Sequence, residues 1–269
     1  VDLRRLVLML SLALPAAAQE PPRPDLLEKA QAELRRGDPK TALATLDELL
    51  EASPSAAGYF HRGHLRLDLG DAKGAVADLS ESLRLDPKQP TALLKRGEAY
   101  ALFLDEPARG LEDLSRAIEL DPSSGAGYVY RGRVRLLLGD VEGFLGDHAR
   151  GQELIPNYVY GSLWVAAAGG PRDALTKFAR GERWPAPIAR FLLGTSSAKE
   201  LRQAARQAQS ESARNEHTSE AEFFIALQAE FSGDLARARA GYERVAEART
   251  PWLTETRWAR ARLRQLKED

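Results

Sequence analysis

A few side chains in this sequence have the types and spacing that chemistry needs. Ser196-Ser197-Ala198-Lys199 fits the S-x-x-K pattern, in which a lysine helps activate a nucleophilic serine. The companion motifs S-D-N and K-T-G are absent, so the segment reads as a capped helix start followed by a solvated lysine. His61 and His64 stand three apart and could share a metal ion from one helix face. No third ligand follows at regular spacing and H-E-x-x-H is missing. His217 beside Glu216 and Glu220 could form an acid–base pair, although a loop-to-helix junction explains the same residues. There is no G-x-S-x-G, no phosphate-binding loop and no G-x-G-x-x-G. The sequence therefore assigns no catalytic residue, no metal ligand and no cofactor. An enzyme on this scaffold would need titratable groups that converge in a pocket, which the sequence does not offer.

A different spacing does recur. Arg-Gly appears as Arg62-Gly63, Arg96-Gly97 and Arg131-Gly132, at intervals of 34 and 35 residues. Each arginine has an aspartate downstream: Asp78, Asp113 and Asp147, at separations of 16, 17 and 16. The expectation is an Arg–Asp bridge between helices, with glycine letting the helices approach. Such a pair identifies the joint of a repeat rather than a binding site.

The elements that position these pairs follow from self-similarity. Units end at Pro54, Pro87, Pro122, Pro156 and Pro251. In most of them an apolar-periodic helix stops at Gly-Asp (Gly37-Asp38, Gly70-Asp71, Gly139-Asp140, Gly233-Asp234) and a second helix follows. Glycine can take the positive φ that ends a helix, and aspartate caps the next one. The third unit carries "LDEP" with one extra residue, which predicts a distorted turn there and places Pro107 in the first turn of the following helix. Phe144 occupies a place that is small elsewhere, and Gly143 beside it is expected to make room. From Asn157 to Thr218 the pattern weakens into shorter helices. Ser197 with Glu200 and Ser219 with Glu222 each have the spacing of a capping box.

Small residues recur at Ala30 and Ala42, Gly63 and Ala75, Gly97 and Gly110, Gly132, and Ala226 and Ala238. With the closing prolines, these resemble the tetratricopeptide repeat (TPR). The resemblance implies an all-α, TPR-type helical solenoid, a right-handed superhelix of antiparallel helix pairs. The organisation expected is a signal peptide over 1–18, a Pro-rich spacer over 19–25, four TPR-like repeats over 26–156, degenerate helical repeats over 157–218, a C-terminal TPR over 219–251 and a capping helix over 252–269. On that last helix Trp252, Ala259, Leu263 and Leu266 share one face, suited to closing the open end of the stack.

The second half carries a sharper likeness. "NYVYGSLWVAAAGG" with Ser162, Leu163 and Trp164, then "WPAPIARFLLG", then "HTSEAEFF" with His217, Ser219, Glu220 and Phe223, occur in that order. This is similar to the NlpI family of bacterial envelope TPR lipoproteins. That likeness implies a non-catalytic scaffold that holds peptidoglycan hydrolases or a periplasmic protease, and a homodimer. Family members carry their lipid on a cysteine. This chain has none, so a soluble periplasmic or secreted form is expected.

Other features agree with export. "RRLVLMLSLALPAAAQ" has a basic start, a short apolar run and an A-x-A cleavage site, with cleavage expected after Ala18 and no stable membrane insertion afterwards. The formal net charge of −1 gives no case for nucleic acid, and the absence of cysteine excludes disulfides and thiolate metal sites. The basic phrase "ARARAGYERVAEAR" is interrupted by acids and reads as a solvated face. Other proteins or peptides remain as partners. The expected peptide groove is lined by Phe60, His64, Leu67, Leu94, Glu98, Val129, Arg133 and Leu137. The Lys/Asn set that clamps a C-terminal carboxylate is not visible there. A TPR subunit of a secretion or outer-membrane assembly machine is the alternative role.

Overall fold

The computed structural model describes residues 24–155, 157–248, 250 and 253–266. The expected signal peptide, most of the spacer, and Trp252 lie outside them. Among the described residues there are helices and connecting turns but no strand.

Four helix pairs come first: α1 (Pro24–Arg35) with α2 (Pro39–Ala52), α3 (Ala56–Asp68) with α4 (Ala72–Leu85), α5 (Pro90–Glu98) with α6 (Pro107–Leu120), and α7 (Gly125–Leu137) with α8 (Val141–Leu154). Each pair packs on itself and on the next, the arrangement of a TPR-type solenoid. The first helix starts at Pro24, inside the segment expected to be a Pro-rich spacer. Proline is acceptable there because the first helical N–H has no intrahelical partner.

The Gly-Asp turns have a direct physical basis. Gly37, Gly70, Gly139 and Gly233 sit at φ of +77°, +87°, +80° and +87°, a region in which a Cβ would be strained. The aspartates that follow accept from the backbone N–H of Thr41, Gly74, Gly143 and Arg237. Each cap contributes about 1 kcal/mol. Gly143 thus receives the Asp140 cap, and Phe144, fully buried, instead packs its ring 4.3 Å from that of His148.

The third unit departs from the expectation in an informative way. Its extra residue is absorbed inside the first helix, where Ala99–Phe103 forms a π-helical turn continuous with α5. The Leu104 N–H reaches back to the Ala99 carbonyl and the Glu106 N–H to that of Tyr100. Asp105 then takes φ +61° where other units use glycine, and Pro107 opens α6 as expected.

Shorter helices follow: α9 (Val159–Ala167), α10 (Leu175–Ala179), α11 (Ala186–Leu192) and α12 (Ala198–Arg206). The capping box at Ser197 and Glu200 is formed on both sides. The second one is not. α13 (Glu211–Phe231) is capped by Ser210 and runs straight through Ser219, so the boundary expected at 218/219 falls within one helix. Ser219 is buried and lies 2.8 Å from the Thr250 hydroxyl. Tertiary packing has overridden a local signal.

The chain ends in α14 (Leu235–Glu247) and α15 (Thr254–Gln265). α15 was expected to close the end of the stack. It does cover α13 and α14, but it also crosses to the π-turn and α7. Arg257 donates to Glu98 at 2.8 Å, Arg264 to the Leu102 carbonyl at 2.9 Å, and the Trp258 indole to the Arg133 carbonyl at 3.3 Å. Trp258 joins Trp164, Phe223, Phe224 and Tyr242 in an aromatic core that ties the C-terminal helices to the middle of the array. No helix among the described residues is long and apolar enough to cross a membrane.

Candidate functional site

α7 shows one face to the interior of the array through Ala126, Val129, Tyr130 and Arg133, spaced as neighbours on a helix surface. Across from them stand Ile155, Tyr158 and Tyr160 at the α8–α9 junction. Glu220 of α13 and Leu253, Thr254 and Glu255 at the start of α15 close the ring. Together they enclose an open cleft of about 460 Å³.

Its charged groups are buried and arranged in detail. The Arg133 guanidinium lies 4.8 Å over the Trp164 ring and donates through Nη2 to the Tyr158 hydroxyl at 2.9 Å. Its Nε, also buried, has no hydrogen-bond partner. Glu220 takes the Tyr160 hydroxyl on both oxygens, at 3.1 and 3.0 Å, and the Trp184 indole N–H on one of them. Glu255 accepts from the Trp164 indole at 3.2 Å. Burial first, and the Glu255 charge second, push the Glu220 carboxyl up to about 7. Burial and the Glu220 charge also push the Tyr160 phenol above its ordinary value.

Of the eight residues expected to line a groove, the structure brings Val129 and Arg133 to this cleft. Phe60 and His64 are half-buried at the edge of α3. Leu67, Leu94 and Leu137 are buried between helices. Glu98 is 2% exposed and bound to Arg257 of α15 and Lys95. For Glu98 the physical reason is α15, whose Arg257 covers it, whereas Leu67 is held by the packing of successive repeats against Ala72, Ala75 and Ala99. The cleft residues that sequence reasoning missed are Tyr130, Tyr158, Tyr160, Glu220 and Glu255 in their actual roles, with Trp184 as a donor to Glu220. A signal existed: the phrase Tyr-Val-Tyr occurs at 128–130 and again at 158–160, and both copies reach the cleft.

The repeated arginines are held elsewhere. Arg62 grips Asp78 with Nε and Nη2 at 2.9 and 2.7 Å, and also reaches Asp47 of the preceding pair. Arg96 grips Asp113 at 2.7 and 2.8 Å and reaches Ser80. Arg131 grips Asp147 at 2.9 and 2.7 Å. Each fork joins the two helices of its own repeat. The adjacent glycine permits the approach: a Cβ on Gly97 would lie 2.9 Å from Leu114 Cγ and 3.0 Å from the Gly110 carbonyl oxygen.

The residues weighed for catalysis do not converge. Ser212 donates to Glu216 at 3.1 Å on the exposed side of α13, while His217 stacks flat on Trp184 at 4.2 Å. Ser197 and Glu200 serve as a helix cap. His64 faces Asp68 at 3.6 Å, and no group of three or more His, Cys, Asp or Glu among the described residues is placed to hold a metal ion. On α14 the basic face is paired: Arg244 binds Glu222 at 2.9 Å and Arg239 faces Glu243.

A tetratricopeptide-repeat family model matches residues 27–90 and, overlapping, 60–103. The chain carries tetratricopeptide repeats. A protein SGT1 homolog of Bos taurus is 43% identical over 61 residues, which are 22% of this chain and 18% of that protein. Its Homo sapiens counterpart is 41% identical over 61 residues, 22% of this chain and 17% of that one. The chain thus spans less than a fifth of the length of these curated relatives. Among solved structures, a tetratricopeptide repeat protein of Parabacteroides merdae superposes with a TM-score of 0.55 at 14% identity, over 88% of this chain and 98% of that one. PilW, a type IV pilus biogenesis factor, superposes at 0.53 and 13% identity, over 87% and 96%. At these identities the likeness establishes the TPR fold. The repeat suggests a protein-protein interaction scaffold.

Proposed function

We propose that this protein is a non-catalytic adaptor of the bacterial cell envelope that holds partner proteins through the cleft between α7, α13 and α15. The observation that carries the reading is the cleft: an open, aromatic-walled recess whose polar groups are few, buried and fixed by neighbours, as recognition sites are. The repeat fold supports it, because helical-repeat arrays present extended surfaces to other proteins. The envelope assignment rests on the N-terminal signal pattern and on the ordered C-terminal phrases resembling the NlpI family. Peptidoglycan hydrolases, or a periplasmic protease that acts on them, are the partners this resemblance names.

The test is photo-crosslinking in cells. A photoreactive residue at Ala126, exposed in the cleft wall, is compared with one at Glu112, exposed on α6 away from it. Adducts with envelope proteins from Ala126 and not from Glu112 are expected. Adducts with cytoplasmic proteins alone, or equal adducts from both positions, would overturn the reading. Export is checked separately, by fusing residues 1–25 to a reporter active only outside the cytoplasm.

A further inference from the structure

Among the described residues, two carboxylates in the cleft lack a counter-ion. Glu220 and Glu255 are 7% and 5% exposed, and they accept hydrogen bonds from neutral donors, Tyr160, Trp184 and Trp164. Several other buried acids in this protein hold an arginine. Asp78 has two, Arg62 and Arg66, and Glu222 also has two, Arg202 and Arg244. Among the described residues no cation lies within ion-pair distance of Glu220 or Glu255. Arg257, nearest to Glu255 in sequence, is turned to Glu98 and Asp68. Buried charges of one sign without a partner are costly. The elevated Glu220 carboxyl, at about 7, is the response of the folded chain to that imbalance.

The walls supply a second observation. Tyr130, Tyr158 and Tyr160 line the recess, and aromatic faces attract cations and the aliphatic stems that carry them.

We propose that the cleft is a receptor for a lysine or arginine side chain within an extended peptide segment, with the cationic head at Glu220 and Glu255 and its aliphatic stem along the tyrosine walls. This deepens the adaptor reading and rests on it, since the ligand is a segment of a partner protein. A cationic head neutralises the acid pair. A side chain of this length and a few backbone atoms suit a recess of about 460 Å³. The cleft is thereby selective for charge rather than for bulk.

The experiment uses the full chain and four dye-labelled, end-blocked hexapeptides, Gly-Ala-Xaa-Ala-Ala-Gly, in which Xaa is Lys, Arg, norleucine or Glu. Binding is read by fluorescence anisotropy at pH 8. The Lys and Arg peptides are expected to bind at least tenfold more tightly than norleucine, with Glu the weakest. E220Q/E255Q is expected to erase the tenfold preference, and the single variant E255Q to reduce it. Equal binding of Lys and norleucine, preference for Glu, or no binding by any peptide overturns the proposal. Putrescine competing as well as the Lys peptide also overturns it, because the cleft would then take a free amine rather than a side chain of a peptide. These comparisons are made first on the unaltered protein, so a variant that fails to fold leaves the proposal falsifiable. Crosslinking from Ala126 without any basic-residue preference would sink this inference and leave the adaptor reading standing.

Discussion

Replacing Arg96 with alanine gives a defined perturbation at a repeat joint. The side chain makes three hydrogen bonds, two to Asp113 at 2.7 and 2.8 Å and one to Ser80 at 3.1 Å. Asp113 stays behind, 8% exposed, without its fork. Breaking a fully buried ion pair costs about 3–5 kcal/mol, because the remaining charge is left uncompensated. This pair keeps some contact with water, its side chains being 21% and 11% exposed, and an exposed pair is worth at most about 1 kcal/mol. A value between these limits, about 2 kcal/mol, is the expected loss. For a chain of this size that lowers Tm by about 4–8 °C. The assay is thermal unfolding by circular dichroism of the wild type, Arg96→Ala, Asp113→Ala and the double variant. The double variant should be little worse than either single one, with a coupling energy of about 1–2 kcal/mol. Crosslinking from the cleft at low temperature should be unchanged. Strict additivity of the two losses would refute the idea that the pair acts as one joint. Lost partner capture at unchanged Tm would make Arg96 a binding residue.

Three further outcomes are expected. His148 is fully buried with neither ring nitrogen hydrogen-bonded, and burial, with the Arg133 charge, holds it down at about 3. The fold accepts only the neutral ring, so stability is lost as pH falls below the unfolded value of 6.5, and the buried unpartnered nitrogens are themselves costly; His148→Leu should therefore raise stability by about 1–2 kcal/mol and flatten the acid limb of a Tm-against-pH curve. Glu220 titrates in the opposite sense: its carboxyl sits at about 7 when folded against 4.5 unfolded, so stability declines by about 3 kcal/mol as pH rises through that window. Glu220→Gln should remove that decline, as measured by urea unfolding at pH 5 and pH 8. Trp258→Ala empties a site shared with Trp164, Phe223 and Tyr242, should cost about 3–5 kcal/mol, and should expose the C-terminal segment to limited proteolysis.

What could be read from the sequence was local and periodic. The Arg–Asp joints were legible because repetition fixed their register three times, and the Gly-Asp turns because each residue does one backbone task. Ser219 and Glu222 misled for the same reason: their spacing is that of a cap, but a residue at a helix start and one buried mid-helix against Thr250 look alike until the fold is assembled. The inserted residue of the third unit was visible, though its place was not, since a turn and a helix can each absorb one residue. The cleft was least legible. Its walls come from residues as far apart as Ala126 and Glu255, and the acids that face the recess have no recurring spacing. Of the residues inferred to line a groove in an open array, Leu67, Leu94, Glu98 and Leu137 are buried, and no periodicity announces that α15 will reach Glu98.

That crossing helix changes how the molecule must come together. In an open repeat array each unit touches only its neighbours, and order can spread from any point. Here Arg257 reaches Glu98 across 159 positions of chain, and Arg264 reaches Leu102 across 162. These are closures of very long loops, which are slow to find and form late. During synthesis the middle repeats leave the ribosome well before the residues that complete them. Until α15 docks, Glu98 lacks Arg257 and the Leu102 carbonyl lacks Arg264. The cleft is therefore complete only once α15 has been made and packed.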